Sequence, residues 1–474
     1  MQTAPVKPDP IRLAAAAILG LTLYRLALIP FSSLELYVDE AQYWLWGQEL
    51  AAGAYSKPPL VGWLIRLANE ITGSNAPWVA RLPWPLVHGA AALAVLALAR
   101  RLAPALIAAP VAALAGVSYA TLPAVSTGSL LISTDSPMML ALALSLWLWH
   151  RQAQGAGRVG AVLLGLAIAA GFWSKYAMAF PLVGMAVTLA LFPGWRLRWC
   201  DALIVAATAL LAFAPNIAWN MAHDMATVRH TAENADYQGV SLHLDKGLRF
   251  LAEQFAVAGP LVFAALLLAF AKAPAALRPL IPLAAAPLLI CTAQAFNAGA
   301  NANWAVGAYV PGVTLAAALL ARRRWAWVAS LGISGVLALA LPLLAVFGGQ
   351  IRLPNGQPLL ARYQGFAAPI RAALKQTPHG GQPALVVASD RDVLAQLFYQ
   401  NGGKQNEDRA LIRALPPKNR PADSHYELIY PLTTEPGPAL FIGRNLPGCA
   451  SNPQVLTGTV QTATLSDACL NSLR

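Results

Sequence analysis

Charge is what this chain lacks. Of its 474 residues only 11% are Asp, Glu, Lys or Arg, whereas 57% are hydrophobic, and the mean hydropathy is +0.53. Soluble domains carry about 25% charged residues. So few ionised side chains cannot cover several water-soluble globules, which excludes a cytosolic enzyme and a disordered chain. Cysteine is scarce as well. The four cysteines include no CxxC pair, and neither an HExxH nor a Walker loop occurs. That removes zinc-ribbon, zincin-type and P-loop chemistry from consideration. The formal net charge of +12 would suggest nucleic acid in a soluble protein. In an apolar chain it fits better as basic residues held in cytoplasmic loops.

What the chain has instead is long apolar runs. A membrane span needs about 20 mostly apolar residues. Candidate spans fall at 11–31, 84–99, 105–124, 136–149, 159–177, 178–193, 202–219, 256–271, 280–297, 304–320 and 325–347, about eleven in all. No small-residue cleavage site follows the first, so it reads as a span rather than a signal peptide. Alternate loops are basic: Arg100 and Arg101, Arg151 and Arg158, Arg196 and Arg198, Lys272 and Arg278, then Arg322, Arg323 and Arg324. With Lys7 and Arg12, this positive-inside pattern places the N-terminus in the cytoplasm and the C-terminus outside, as expected for a bacterial inner-membrane protein. The remaining loops hold the acids Asp39, Glu40, Asp135, Asp224, Glu233, Asp236 and Asp245. The expected fold is therefore mainly α, with a transmembrane domain over residues 1–347.

Residues 348–474 are polar, with short β-like runs at Ala384 to Ala388, Tyr426 to Pro431, Ala439 to Ile442 and Val455 to Thr459, and a helical run at Asp392 to Gln400. This reads as a small periplasmic α/β domain. It contains Cys449 and Cys469, for which an oxidising compartment favours a disulfide over two free thiols. Two exterior loops, 32–83 and 220–250, are too long to be turns, and long ordered loops are usually functional. In the first, Ala41 to Leu50 and Leu60 to Ile71 have helical spacing and could lie flat at the interface. The second, with His230, could cover a cleft as a lid or be a plain surface loop.

Five motifs carry chemistry. Tyr37-Val38-Asp39-Glu40 puts an acid pair just past the first span. Asp39 suits a general base tuned by Glu40, and the pair also suits a helix N-terminus. In Tyr55-Ser56-Lys57-Pro58-Pro59 the prolines stiffen the backbone around Lys57, a good phosphate partner. A snorkelling interfacial lysine is the alternative. Asp135, in Ser133-Thr134-Asp135-Ser136-Pro137, stands where a helix begins, so capping competes with catalysis. Lys175 interrupts an apolar run, and ionisable residues at membrane depth are functional by default. Asn303 and Tyr309, in Asn301-Ala302-Asn303-Trp304 and Tyr309-Val310-Pro311, suit sugar hydroxyls or an aromatic belt. All five are expected on the same side of the membrane, which suits a phosphate-bearing lipid and a polar acceptor.

Asp39-Glu40, Lys57-Pro58-Pro59-Leu60, Val79-Ala80-Arg81-Leu82-Pro83, Thr134-Asp135-Ser136-Pro137 and Ser174-Lys175 occur in an order that resembles the bacterial dolichyl-phosphate-mannose-protein mannosyltransferase-like glycosyltransferases. The aminoarabinose and galacturonosyl transferases of lipid A are in the same group. The resemblance covers about residues 10–320. It implies the membrane-embedded glycosyltransferase C fold and a polyprenyl-phosphate-linked sugar donor used at the outer face. It implies Asp39 as base with Glu40 beside it, Asp135 as a second site acid, and Lys57 on the donor phosphate. Arg81 or Lys175 would add a second cation, and Tyr55, Asn303 and Tyr309 would line the donor site. Ser56 stands where the aminoarabinose enzymes carry Glu, which removes one possible ligand. A divalent metal is therefore left open, and aminoarabinose is disfavoured. No cofactor is otherwise implied. The acceptor would be lipid A, another glycolipid, a glycan or a protein, and no nucleic acid is involved. The competing class is a transporter or flippase of lipid-linked sugars. Such a protein would place its ionisable residues near mid-membrane in repeated halves, and no internal repeat is found.

Overall fold

The computed structural model describes residues 9–235, 239, 241–360, 365–376, 385–402, 410–417 and 420–474. Lys7, Asp236 and Ala384 lie outside the described residues. The chain forms two compact units. The first comprises Met1–Ser32, Arg81–Met225 and Thr231–Val346, the second Ser33–Ala80, Ala226–His230 and Phe347–Arg474.

The first unit is helical throughout its regular structure. Among the described residues, seven helices are long and apolar enough to cross a membrane. They are Pro10–Phe31, Pro77–Leu102, Gly157–Ser174, Trp199–Ala222, Leu280–Asn297, Ala302–Leu320 and Arg324–Gln350. The bent pair Leu244–Ala258 and Pro260–Lys272 makes eight if it counts as one span. The expected eleven are not reached on this criterion. The runs expected at 105–124 and 178–193 are apolar helices but shorter, Ala105–Thr121 and Tyr176–Leu191. The run at 136–149 is the Asp135–Ala153 helix, whose acidic start and basic end dilute its apolar stretch.

The expected span at 256–271 is broken. Gly259 has φ +85°, a conformation that a side chain would strain, and Pro260 then opens the next helix. The two helices meet at 114°. Tyr119, Trp149, Phe250, Phe263 and Tyr309 are buried in one continuous core, while Leu23, Leu210, Leu211, Leu289 and Val336 are exposed. Apolar side chains on the outside are what a hydrocarbon solvent demands. Arg25, buried among the helices, donates to Ala120 O at 2.7 Å and to Ser126 Oγ at 3.2 Å, satisfying a carbonyl at a helix end. The run Gly155-Ala156-Gly157-Arg158-Val159-Gly160 has dinucleotide-loop spacing, yet it joins two apolar helices and, among the described residues, no strand precedes it.

In the second unit the first long loop, 33–80, packs with the C-terminal segment. Its helices Val38–Glu49 and Leu60–Thr72 cross at Gly47 and Gly62, where a Cβ on Gly47 would come within 2.4 Å of Gly62 O. Only glycine permits that approach. Val38–Glu49 is buried from Glu40 to Gly47, so it is not a helix lying on an interface. Its tryptophans Trp44 and Trp46 form part of a packed core.

The C-terminal segment carries strands β1 Leu385–Ala388, β2 Leu411–Ala414, β3 Ala439–Gly443, β4 Ser451–Thr457 and β5 Val460–Leu465. The sheet order is β2-β1-β3-β5-β4. β1 is parallel to both β2 and β3, and the last two strands form an antiparallel hairpin. The strand expected at Tyr426 to Pro431 is instead a short helix, His425–Ile429. Ser424 caps it by accepting from the Glu427 N–H at 3.2 Å, and Tyr426 stacks on Phe398 with ring centroids 5.3 Å apart. Cys449 and Cys469 are joined by a disulfide spanning 20 residues. A loop of that length stabilises by about 3 kcal/mol in the chain-entropy account.

Candidate active site

The sequence-selected residues divide between the two units. In the second, Asp39 stands in the first turn of Val38–Glu49, where a helix N-terminus favours acids. Its Oδ1 accepts from Arg391 Nη2 at 2.5 Å. Arg391 also donates from Nε to Gln42 Oε1 at 2.9 Å, and Gln42 Nε2 reaches Ser56 Oγ at 3.4 Å. Glu40 turns the other way. It is buried, and its Oε2 accepts from the Tyr37 N–H at 3.0 Å, capping the helix. Of the acid pair, Asp39 is therefore the one with an exposed carboxylate.

Lys57 follows two buried residues, Tyr55 and Ser56, and precedes the buried Pro58-Pro59 step. The Tyr55 ring lies 4.9 Å from that of His230, and Thr227 Oγ1 ties the His230 helix to Ala54 O at 2.7 Å. Burial, then the charges of Lys57 and Arg391, lower the His230 pKa to about 4, against a smaller opposing pull from Asp39. His230 is thus a neutral neighbour of this charged group, not the plain surface residue its sequence suggests. A linkage effect follows. Unfolding releases His230 to its ordinary value of 6.5, so its contribution to stability is whole above pH 6.5 and is lost as pH falls toward 4. Thermal unfolding between pH 7 and 4 is expected to show that decline, and His230→Gln to flatten it. Identical Tm-against-pH curves for the two proteins would contradict the assignment.

In the first unit, Asp135 opens its helix but does not spend its carboxylate on capping. Oδ1 accepts from Lys175 Nζ at 2.6 Å and Oδ2 from Asn303 Nδ2 at 2.9 Å. Ser133 Oγ accepts from the Asp135 N–H at 3.1 Å, and Trp84 Nε1 holds Ser133 O at 2.9 Å. Lys175 is aimed by a break in the chain: it ends Gly157–Ser174 in an extended conformation before a 3-10 turn. Arg81, at the end of Pro77–Arg81, is only 2% exposed. Tyr309 is fully buried and donates its hydroxyl to Gln254 Oε1 at 2.7 Å, so this residue joins helices and presents no face to a ligand. Among the described residues no three His, Cys, Asp or Glu side chains are grouped to hold a metal ion. Asp39 and Asp135 are engaged by cations and an amide, a donor set that does not fit a divalent metal.

Known proteins give this geometry a context. A family model described as dolichyl-phosphate-mannose-protein mannosyltransferase matches residues 56–219. Over 448 residues the chain is 37% identical to the lipid A galacturonosyltransferase RgtD of Rhizobium johnstonii, covering 93% of this chain and 92% of that protein. The chain belongs to this mannosyltransferase-like family of membrane glycosyltransferases. Its fold matches ArnT from Cupriavidus metallidurans bound to undecaprenyl phosphate, with TM-score 0.61 at 14% identity over 96% of this chain and 97% of that one. The apo ArnT structure gives TM-score 0.57 at the same identity and coverage. At such identity the likeness shows the fold, glycosyltransferase C, which has many apolar helices and a small C-terminal sheet domain. The protein is accordingly a multi-pass membrane glycosyltransferase. The family-matched stretch contains Lys57, Arg81, Asp135 and Lys175, and Asp39, His230 and Arg391 fall outside it. Sequence reasoning missed Arg391 and Gln42. Gln42 could have been found from its i+3 spacing to Asp39 on one helix face. No local signal links Arg391 to either.

Proposed function

We propose that this glycosyltransferase moves a sugar from a polyprenyl-phosphate donor to a hydroxyl of a lipid A-type glycolipid, at the periplasmic face of the inner membrane. The observation that carries the reading is the Asp39 carboxylate. One oxygen is held by Arg391 and the other is left to accept a proton, with Lys57 close enough to act on the same His230. Asp39 takes the proton of the acceptor hydroxyl as its oxygen bonds to the anomeric carbon. The bond from that carbon to the phosphate oxygen breaks, and the phosphate leaves with the electron pair. Lys57 stabilises the charge that develops there. A phosphate is already a stable anion, so no acid is needed on the leaving side. A single displacement inverts the anomeric centre. In the membrane unit, Asp135, Lys175 and Asn303 are the other place where a donor's hydroxyls or phosphate would find polar partners.

The orientation rests on the basic helix junctions. Arg100 and Arg101, Arg151 and Arg158, Arg196 and Arg198, Lys272 and Arg278, and Arg322 to Arg324 alternate with acidic ones, which supports a cytoplasmic N-terminus and a periplasmic C-terminal segment. The Cys449–Cys469 disulfide agrees with an oxidising compartment. The likeness to a lipid A galacturonosyltransferase makes a uronosyl donor the first to test. Purified protein is to be incubated with polyprenyl-phosphate galacturonic acid and lipid A, and the glycolipids weighed by mass spectrometry. Addition of one uronosyl residue with release of polyprenyl phosphate is expected. Lipid A that is unmodified with this donor and with neutral and amino-sugar donors would overturn the proposal.

A further inference from the structure

We propose that Arg391, supplied by the C-terminal segment, is the positioning residue that sets the working geometry of Asp39. The inference rests on the reading of Asp39 as the base and extends it: the C-terminal segment becomes part of the machinery for proton transfer.

The contact is built for orientation. The Arg391 guanidinium spans one turn of Val38–Glu49, with Nη2 on Asp39 and Nε on Gln42. A planar guanidinium anchored on a second residue holds in place the carboxylate oxygen it grips. Asp39 Oδ2 takes no hydrogen bond from the described residues, so the fork leaves that oxygen to meet an acceptor hydroxyl.

Arg391 is itself held. It is the first residue of Arg391–Gln400, between Asp390 and Asp392. Arg444 grips both neighbours, reaching Asp392 at 2.8 and 2.5 Å through Nη1 and Nη2. The Arg444 N–H donates to Asp390 Oδ2 at 2.8 Å. These contacts hold Asp392 below the usual carboxylate range: burial would raise it, but the Arg444 hydrogen bonds and charge outweigh burial. Further along the same helix, Gln396 Nε2 donates to Leu36 O at 2.6 Å and Tyr399 meets the edge of Trp44 at 4.9 Å. The helix is thereby registered against residues 36–44 at three levels.

Stability alone does not account for the pair. The Arg391 and Asp39 side chains are 42% and 44% exposed, and ion pairs that open to water contribute about 0–1 kcal/mol. A weak bond held by so much scaffolding fits the placing of an atom better than the holding of a fold.

The test uses the full-length enzyme, with kcat and donor KM measured for Arg391→Ala, Arg391→Lys, Asp39→Asn and the Arg391→Ala/Asp39→Asn double variant, and Tm recorded for each. Misplacing a reacting group by about 1 Å can cost about 100-fold. Arg391→Ala is therefore expected to lower kcat by about 10- to 100-fold with donor KM within about 3-fold. Arg391→Lys keeps the charge without the fork and is expected to recover only part of the rate. In the Asp39→Asn background the Arg391→Ala change is expected to cost nothing more. Gln42→Ala, which frees only the Nε arm, gives an independent reading if Arg391→Ala misfolds, and is expected to lower kcat with KM unchanged. Unchanged kcat in Arg391→Ala, or the same factor lost with and without Asp39, would overturn the inference. A faster Arg391→Ala enzyme would also overturn it and make the pair a block on the base. If Asp39→Asn is fully active, the base assignment itself fails; if only Arg391→Ala is normal, the inference fails alone.

Discussion

Asp39→Asn is expected to lower kcat by about 100- to 10,000-fold, the range for losing a positioned general base. The replacement keeps the shape and still offers Oδ1 to Arg391, so the contact at 2.5 Å has an acceptor in both proteins. What it removes is the capacity of Oδ2 to take a proton. Donor KM is expected to stay near wild type, because the loss falls on the transition state rather than on binding. Glu40 is not placed to substitute, since its carboxylate caps the helix at Tyr37. Steady-state kinetics with donor and lipid A, beside a thermal unfolding curve, decide the matter. A folded Asp39→Asn protein with near wild-type kcat would remove Asp39 from the mechanism.

The second large effect is on stability. Asp135 and Lys175 are each only 13% exposed and lie 2.6 Å apart. Truncating one partner of such a pair leaves an uncompensated charge, at a cost of about 3–5 kcal/mol. Asp135→Ala also strands the Asn303 amide that now donates to Oδ2. Lys175→Met is expected to destabilise to a similar degree by stranding the carboxylate. The Asp135→Leu/Lys175→Met double variant removes both charges together and is expected to unfold at a higher temperature than either single variant, since buried pairs replaced by apolar groups are often near neutral. Unfolding in detergent is commonly irreversible, so the order of the Tm values at one scan rate is the readout. A double variant no more stable than the singles would show that the pair is not coupled.

How much could be read in advance follows from the range of each interaction. The helices Val38–Glu49 and Leu60–Thr72 were legible because helical spacing and caps are local. The burial of Val38–Glu49 was not, since it depends on the partner helix Arg391–Gln400. The span expected at 256–271 failed at Gly259, where a single backbone conformation redirects the chain. The segment from Tyr426 to Pro431 looked extended because aromatic residues favour strands. A serine cap and stacking on Phe398 made it helical instead.

The sequence by itself determined that this protein lives in a membrane and which of its few ionised residues to suspect of carrying the chemistry. Scarcity of charge and runs of apolar residues are properties of composition and near neighbours, and they survive without a fold. Tertiary structure alone decided what each suspect touches. It turned Glu40 into a cap, committed Asp135 to Lys175 and Asn303, and closed Tyr309 into the core. It also brought Arg391 to Asp39 across 352 residues of chain. No periodicity reports a contact at that separation, because it is set by the packing of one helix on another and by the Arg444 grip that aims the first residue of that helix.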